Sequence, residues 1–247
     1  MQGIKVMWKR QVIKYFRSPA RMVATLGQPL LFLLVFGLGF KNIFEAAGAG
    51  SYIDLLAPGI MVMSVVFTAV FAGIEVVWDR QFGFLKETLV APVPRFSIMF
   101  GKALGGATIA MFQGVIVFGV TLLAGFSPEW AGVIPAFFFL FLLGLLFSAF
   151  GIALASKLTD MQAFPIVMNF VVMPLFFLSG AMFPLQGAPT LLKTITELNP
   201  LTYGVDMVRG ALNGVSQFPI ADDLLIISLS VFLIIFYGSH VFEKIEA

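Results

Sequence analysis

The chain has 247 residues, 60% of them hydrophobic and 11% charged, with a mean hydropathy of +1.00 and a net charge of +2. Soluble domains carry about 25% charged residues, so this composition describes a polytopic membrane protein with no room for a sizeable soluble domain. The small net charge, without a basic stripe interleaved with exposed aromatics, excludes a nucleic-acid binder.

Residues 3–17 read as a basic helix lying in the membrane interface. Ile4, Met7, Trp8, Val12, Tyr15 and Phe16 gather on one side, and Lys5, Lys9, Arg10, Lys14 and Arg17 occupy the rest. Such a helix fixes topology and binds anionic headgroups, or packs in addition on a partner through Val6 and Ile13. The first 21 residues hold six basic side chains and no apolar core, so the first span itself is expected to act as the insertion signal.

Six spans are expected at 22–44, 55–78, 98–125, 131–156, 163–183 and 222–241, each near the ~20 residues that cross ~30 Å of hydrocarbon. With the N-terminus inside, the inner segments hold twelve bases and the outer ones keep three, Lys41, Lys193 and Arg209. The positive-inside rule then makes both termini cytoplasmic and the protein a multi-pass component of the cell membrane, surrounded by lipid.

Between the second and third spans lies DRQFGFLKETLVAPVPRFSIMFGK, Asp79 to Lys102. Phe82, Leu85 and Leu89 fall at i, i+3 and i+7 of a helix and share one face. Pro92 and Pro94 then stop the helix, because neither donates a backbone hydrogen bond. A short amphipathic helix between spans lies on the lipid surface or fits a groove in a soluble partner; the second use is favoured here.

The connection 184–221 is the other irregular stretch. Two stripes, Leu191–Leu198 and Tyr203–Leu212, are separated by Asn199-Pro200. Two helices of about a dozen residues reach ~18 Å each, half the hydrocarbon, so an external re-entrant or interfacial pair is expected. Asp206 and Arg209 stand three apart and are expected to pair. Glu75 and Lys102, near the ends of their spans, are expected to snorkel. Asn169, deep in the fifth span, serves a helix-to-helix hydrogen bond or the translocation path. Gly101-x-x-x-Gly105 and Gly151-x-x-x-Ala155 are notches for close helix packing.

Enzymatic readings lack their parts. No Gly-x-Ser-Gly nucleophile occurs, and the single His240 sits at the end of the last span, which leaves neither a serine protease nor a metal site. The absence of cysteine removes disulfide and thiolate chemistry. The phosphate cradle Gly-x-x-x-x-Gly-Lys-Ser/Thr has no match, so any ATP hydrolysis belongs to another chain. An ion-coupled transporter would show a charged relay or inverted repeats with broken spans, and neither is clear.

The segment from Asp79 to Lys102 resembles the cytoplasmic loop of ATP-binding-cassette (ABC) permeases of the type-2 exporter class. The likeness rests on Asp79-Arg80, Gly83, Leu85 with Leu89, Pro92-Val93-Pro94-Arg95 and Gly101-Lys102, with Gln81 where the family pattern has Glu. LSGAMFPL (178–185) and NPLTYGVDMVRG (199–210) are similar to that family's external segment. The resemblance spans 1–247 as a single all-α permease domain: an interfacial helix (1–21), six transmembrane helices, a coupling loop (79–96) and external helices (184–221). It implies a half-permease that dimerises with a second copy and sits on two copies of a separate ATP-binding subunit, which alone binds ATP and Mg²⁺. Drugs, polysaccharides, lipids and peptides are cargoes of such exporters. The family places Asp79, Arg80, Phe82, Gly83, Leu85, Glu87 and Leu89 at the ATPase interface, and Asn199, Pro200, Tyr203, Asp206 and Arg209 in the external motif. An ATP-independent transporter or channel is the alternative.

Overall fold

The computed structural model describes residues 2–40, 51–90, 92–158, 160–182 and 189–243; the side chains of Leu38, Lys86, Glu87 and Leu89 lie outside that description. The expected interface residues Glu87 and Leu89 therefore carry no side-chain statement. Lys41, Lys244 and the Phe183–Leu185 part of LSGAMFPL also fall outside it.

Every regular element among the described residues is helical. In chain order they are α1 (Gln2–Phe16), α2 (Pro19–Gly39), α3 (Tyr52–Phe71), α4 (Ile74–Gln81), α5 (Phe84–Val90), α6 (Arg95–Leu123), a 3₁₀ turn (Trp130–Gly132), α7 (Val133–Lys157), α8 (Ala163–Phe177), α9 (Thr190–Glu197), α10 (Pro200–Asn213) and α11 (Ile220–Glu243). Among the described residues, five segments are long and apolar enough to cross a membrane: α2, α3 with α4, α6, the 3₁₀ turn with α7, and α11. The sixth expected span, at 163–183, is the shorter α8 of 15 residues. Its last turn closes at Leu178, and Gly180 follows with φ of 71°.

α3 is the axis of the bundle. Every residue from Leu56 to Val70 is buried, with α2, α6, α7, α8 and α10 packed around it. An all-round apolar helix has no face for water, so it settles at the centre. In lipid, helices associate through packing and not through the hydrophobic effect, and small residues permit the closest approach. Gly151 of α7 faces the backbone of Val70, where any Cβ would collide with its carbonyl.

The basic N-terminal helix packs on the bundle. One face of α1, with Met7, Gln11 and Tyr15 buried, runs along α6. A Cβ at Gly101 would come within 2.8 Å of Met7 Cβ and Ile4 O, and one at Gly105 within 2.5 Å of Gln11 Cβ. Further along, Gln113 donates to the Tyr15 hydroxyl and to Thr25 of α2. The Gly101-x-x-x-Gly105 notch thus receives α1. Val6 and Ile13, expected to meet a partner, remain on the surface.

Candidate functional site

At the end of the bundle where α4 meets α1, two pairs of opposite charge face each other. Glu75 and Asp79 sit one turn apart on α4, and Arg10 and Lys14 one turn apart on α1. Asp79 Oδ1 lies 3.6 Å from Arg10, and Glu75 Oε2 lies 3.6 Å from Lys14. Two further cations arrive from the spans. Arg21 of α2 bonds Glu75, and Lys102 of α6 places Nζ 2.5 Å from Asp79 Oδ2.

This arrangement corrects the snorkelling expectation for Glu75 and Lys102. Lys102 is only 1% exposed, and Glu75 is as enclosed. α1 lies over both, so neither stem reaches the surface and each charge must be met by a partner of opposite sign. Arg10 also donates to Thr88 Oγ1 at 3.4 Å, which ties α1 to α5 as well as to α4.

Asp79 and Arg80 are neighbours that turn apart. While Asp79 points inward, Arg80 donates to the Leu158 and Ser156 carbonyls at 3.2 and 3.1 Å and closes the C-terminal end of α7. The continuous amphipathic helix expected over Phe82–Val90 is broken. α4 ends at Gln81, Gly83 takes a left-handed φ of 78°, and α5 begins at Phe84. Glycine enters that conformation without the steric cost of a Cβ. The turn changes which residues share a face. Leu85 is 1% exposed and packs into the chain's own core, whereas Phe82 and Phe84 are 67% and 51% exposed. Phe82 and Leu85 therefore do not form one docking stripe. Among the described side chains, the outward apolar surface consists of Phe82, Phe84 and Val90.

At the opposite end, Asn199 caps α10: its side chain accepts from Leu201 N at 3.0 Å and donates to Leu175 O at 2.6 Å. Pro200 occupies the first turn, where its missing N–H costs nothing. The Tyr203 hydroxyl donates to Glu197 O and holds α9 to α10. α10 then runs outward until Asn213 donates to Asp54 O at the start of α3. Asp206 and Arg209 do not form the expected ion pair. Asp206 accepts the Gln217 and Phe218 amides at 2.8–3.0 Å, and Arg209 donates to the Gly180 and Ala181 carbonyls at 2.9 and 3.4 Å. Both are buried, each hydrogen-bonds backbone groups of a different loop, and the Asp223 carboxylate lies beside Asp206. Asn169 is exposed on α8, where Met168 and Val172 are buried, and among the described residues it bonds no other helix.

The four-helix charge cluster was the part that sequence reading missed, although a signal was present. Arg10 and Lys14 repeat at i, i+4, and so do Glu75 and Asp79. Matched spacing of opposite sign on two helices is what an antiparallel ionic seam requires.

Comparison with known proteins bears on this arrangement. The ABC-2 type transporter family profile matches residues 2–213. ycf38 of Cyanophora paradoxa, named as a transport permease, is 35% identical over 215 residues, covering 85% of this chain and 73% of the relative. Nodulation protein J of Rhizobium leguminosarum bv. trifolii is 26% identical over 84% of the chain and 80% of its own length. The inner membrane transport permease YadH of Escherichia coli (strain K12) is 26% identical over 95% and 91%.

Proposed function

This chain belongs to the ABC-2 type transporter family, and on that premise we propose that it is the permease subunit of an ATP-driven exporter. Two copies form the pathway across the cell membrane. Each seats α5 on a separate ATP-binding subunit, which holds ATP and Mg²⁺; this chain supplies no hydrolytic site. Both termini face the cytoplasm, as the twelve-to-three distribution of bases supports.

One observation carries the reading. α5 is a seven-residue helix that shows Phe84 and Val90 outward, with Phe82 exposed just before it, while Leu85 anchors it to the core. A lever needs both a contact surface and a rigid mount. From the mount, Arg10 joins Thr88 to Asp79, and Asp79 joins Lys102 of α6. Movement of α5 on its partner is thereby delivered to α1, α4 and α6 together. Coupling then works as population shift, since the partner favours whichever bundle state fits its nucleotide state. Dimerisation is supported by α8. Its exposed Asn169 lies beside exposed Ile166 and Phe170, and an amide facing lipid lacks the partner that a second copy supplies.

The test is co-purification of the tagged permease from its native membrane with ATPase activity assayed on the eluate. A stoichiometric ATP-binding partner is expected, and Phe82→Ala/Phe84→Ala should release it while the permease stays monodisperse. A permease that transports with no partner and no ATP hydrolysis would return the assignment to an ATP-independent transporter.

A further inference from the structure

A cavity of about 600 Å³ opens between the α1–α2 elbow and the α3–α4 segment. Its volume is that of a small-molecule site. The chemistry of its lining is graded along its length. At one end stand Lys14 and Arg21, both held by the single carboxylate of Glu75. Two cations on one anion leave an excess positive charge facing the cavity. Arg21 uses one terminal nitrogen on Glu75, and a guanidinium carries five N–H donors in a fork suited to phosphate oxygens.

Away from that end α3 contributes an apolar stripe, with Thr25, Gln28 and Thr68 as the polar groups beside it. Phe71, Phe67 and Met63 follow one another at four-residue steps down α3, a stripe of about 12 Å at 1.5 Å per residue. Trp78 stands at the cationic end, half exposed. A small soluble anion has no use for that stripe, and a neutral apolar ligand would leave the cationic excess desolvated and unmatched. A molecule with an anionic head on an apolar tail satisfies both ends at once.

We propose that this cavity binds an amphipathic phosphate, with the phosphate on Arg21 and Lys14 and the acyl or prenyl chain against Phe71, Phe67 and Met63. This goes beyond the exporter reading by naming a ligand class. It rests on that reading only for membrane placement, and it is tested on the permease alone, where coupling to an ATP-binding subunit plays no part.

The experiment uses the full chain in phosphatidylcholine nanodiscs with Trp8→Phe and Trp130→Phe, which leaves Trp78 as the reporter. Dioctanoyl phosphatidic acid is titrated beside its two halves, dioctanoylglycerol and inorganic phosphate. The expected result is saturable quenching by phosphatidic acid alone, weakened about tenfold by Arg21→Gln and unchanged by Lys9→Gln, a base of α1 outside the cavity. Because Arg21 also holds Glu75, a second variant is needed. Ala24→Phe adds bulk at the exposed lip of the cavity without touching its charges, and should abolish quenching while the protein remains monodisperse. Equal binding of inorganic phosphate would reduce the site to a free-anion site and overturn the proposal. So would equal quenching by dioctanoylglycerol, an equal loss in Lys9→Gln, or undiminished binding in both cavity variants.

Discussion

The two ends of this bundle bury charge in opposite ways. At the α4 end, four cations from α1, α2 and α6 meet two carboxylates of α4, side chain to side chain. At the α10 end, Asp206 and Arg209 form no direct ion pair and bind backbone amides and carbonyls of neighbouring loops. A backbone partner is fixed by the covalent chain, so the α10 end is a clasp. Side-chain partners on separate helices can be exchanged when the helices shift, and that property suits the end that carries α5. Paired charges there cost little while they stay paired and a great deal when one partner is removed.

The contrast is sharpest at Lys102. Lys102→Met should lower stability by about 3–5 kcal/mol, since it leaves Asp79 enclosed with only the half-exposed Arg10. Adding Asp79→Leu should recover much of that loss, because the uncompensated charge is gone. Thermal unfolding in detergent measures both. A double variant no better than the single one would mean that Lys102 acts through packing, and the distinction between the ends would fail.

Arg209→Ala should cost less, about 1.5–3 kcal/mol, the range for a hydrogen bond from a charged donor. Asp206→Ala should behave similarly. Because their hydrogen bonds are separate and only a longer-range charge interaction links them, the double variant should depart from the sum of the singles by less than about 1 kcal/mol. A coupling well above that would reinstate the direct pair and make the ends alike. Arg10→Ala should cost about 1 kcal/mol or less, since its side chain is 42% exposed and Lys102 still serves Asp79. Its larger consequence should be on coupled ATPase activity, because Arg10 also holds Thr88 of α5. The smallest stability effect belongs to Phe82→Ala, within about 0.5 kcal/mol for an exposed side chain. Leu85→Ala, by contrast, should cost about 2–5 kcal/mol as a core truncation. Equal costs at the two positions would contradict the break at Gly83.

Much of this was legible beforehand. The all-helical class follows from long apolar runs, because an unpaired backbone is not tolerated in lipid. The glycine notch at 101–105 was visible, though its occupant was not; spacing reports a groove and says nothing of which helix fills it. In the loop from Asp79 to Lys102, the inner and outer faces were drawn from an unbroken helix. One left-handed glycine at position 83 sent Leu85 inward and left Phe82 outside. The fifth span was drawn too long, since hydropathy continues past Phe177 where the helix does not.

By itself the sequence determined the apolar helices, the notches between them and the charges set one turn apart on α1 and α4. Those are local quantities, set by composition and by the 3.6-residue repeat. Only the tertiary structure decided which charges meet. It laid α1 along α6 and so enclosed Lys102 and Glu75, and it brought two loops to Asp206 and Arg209 before either reached the other. Pairing across helices depends on packing between residues distant in the chain, and no local repeat carries that information.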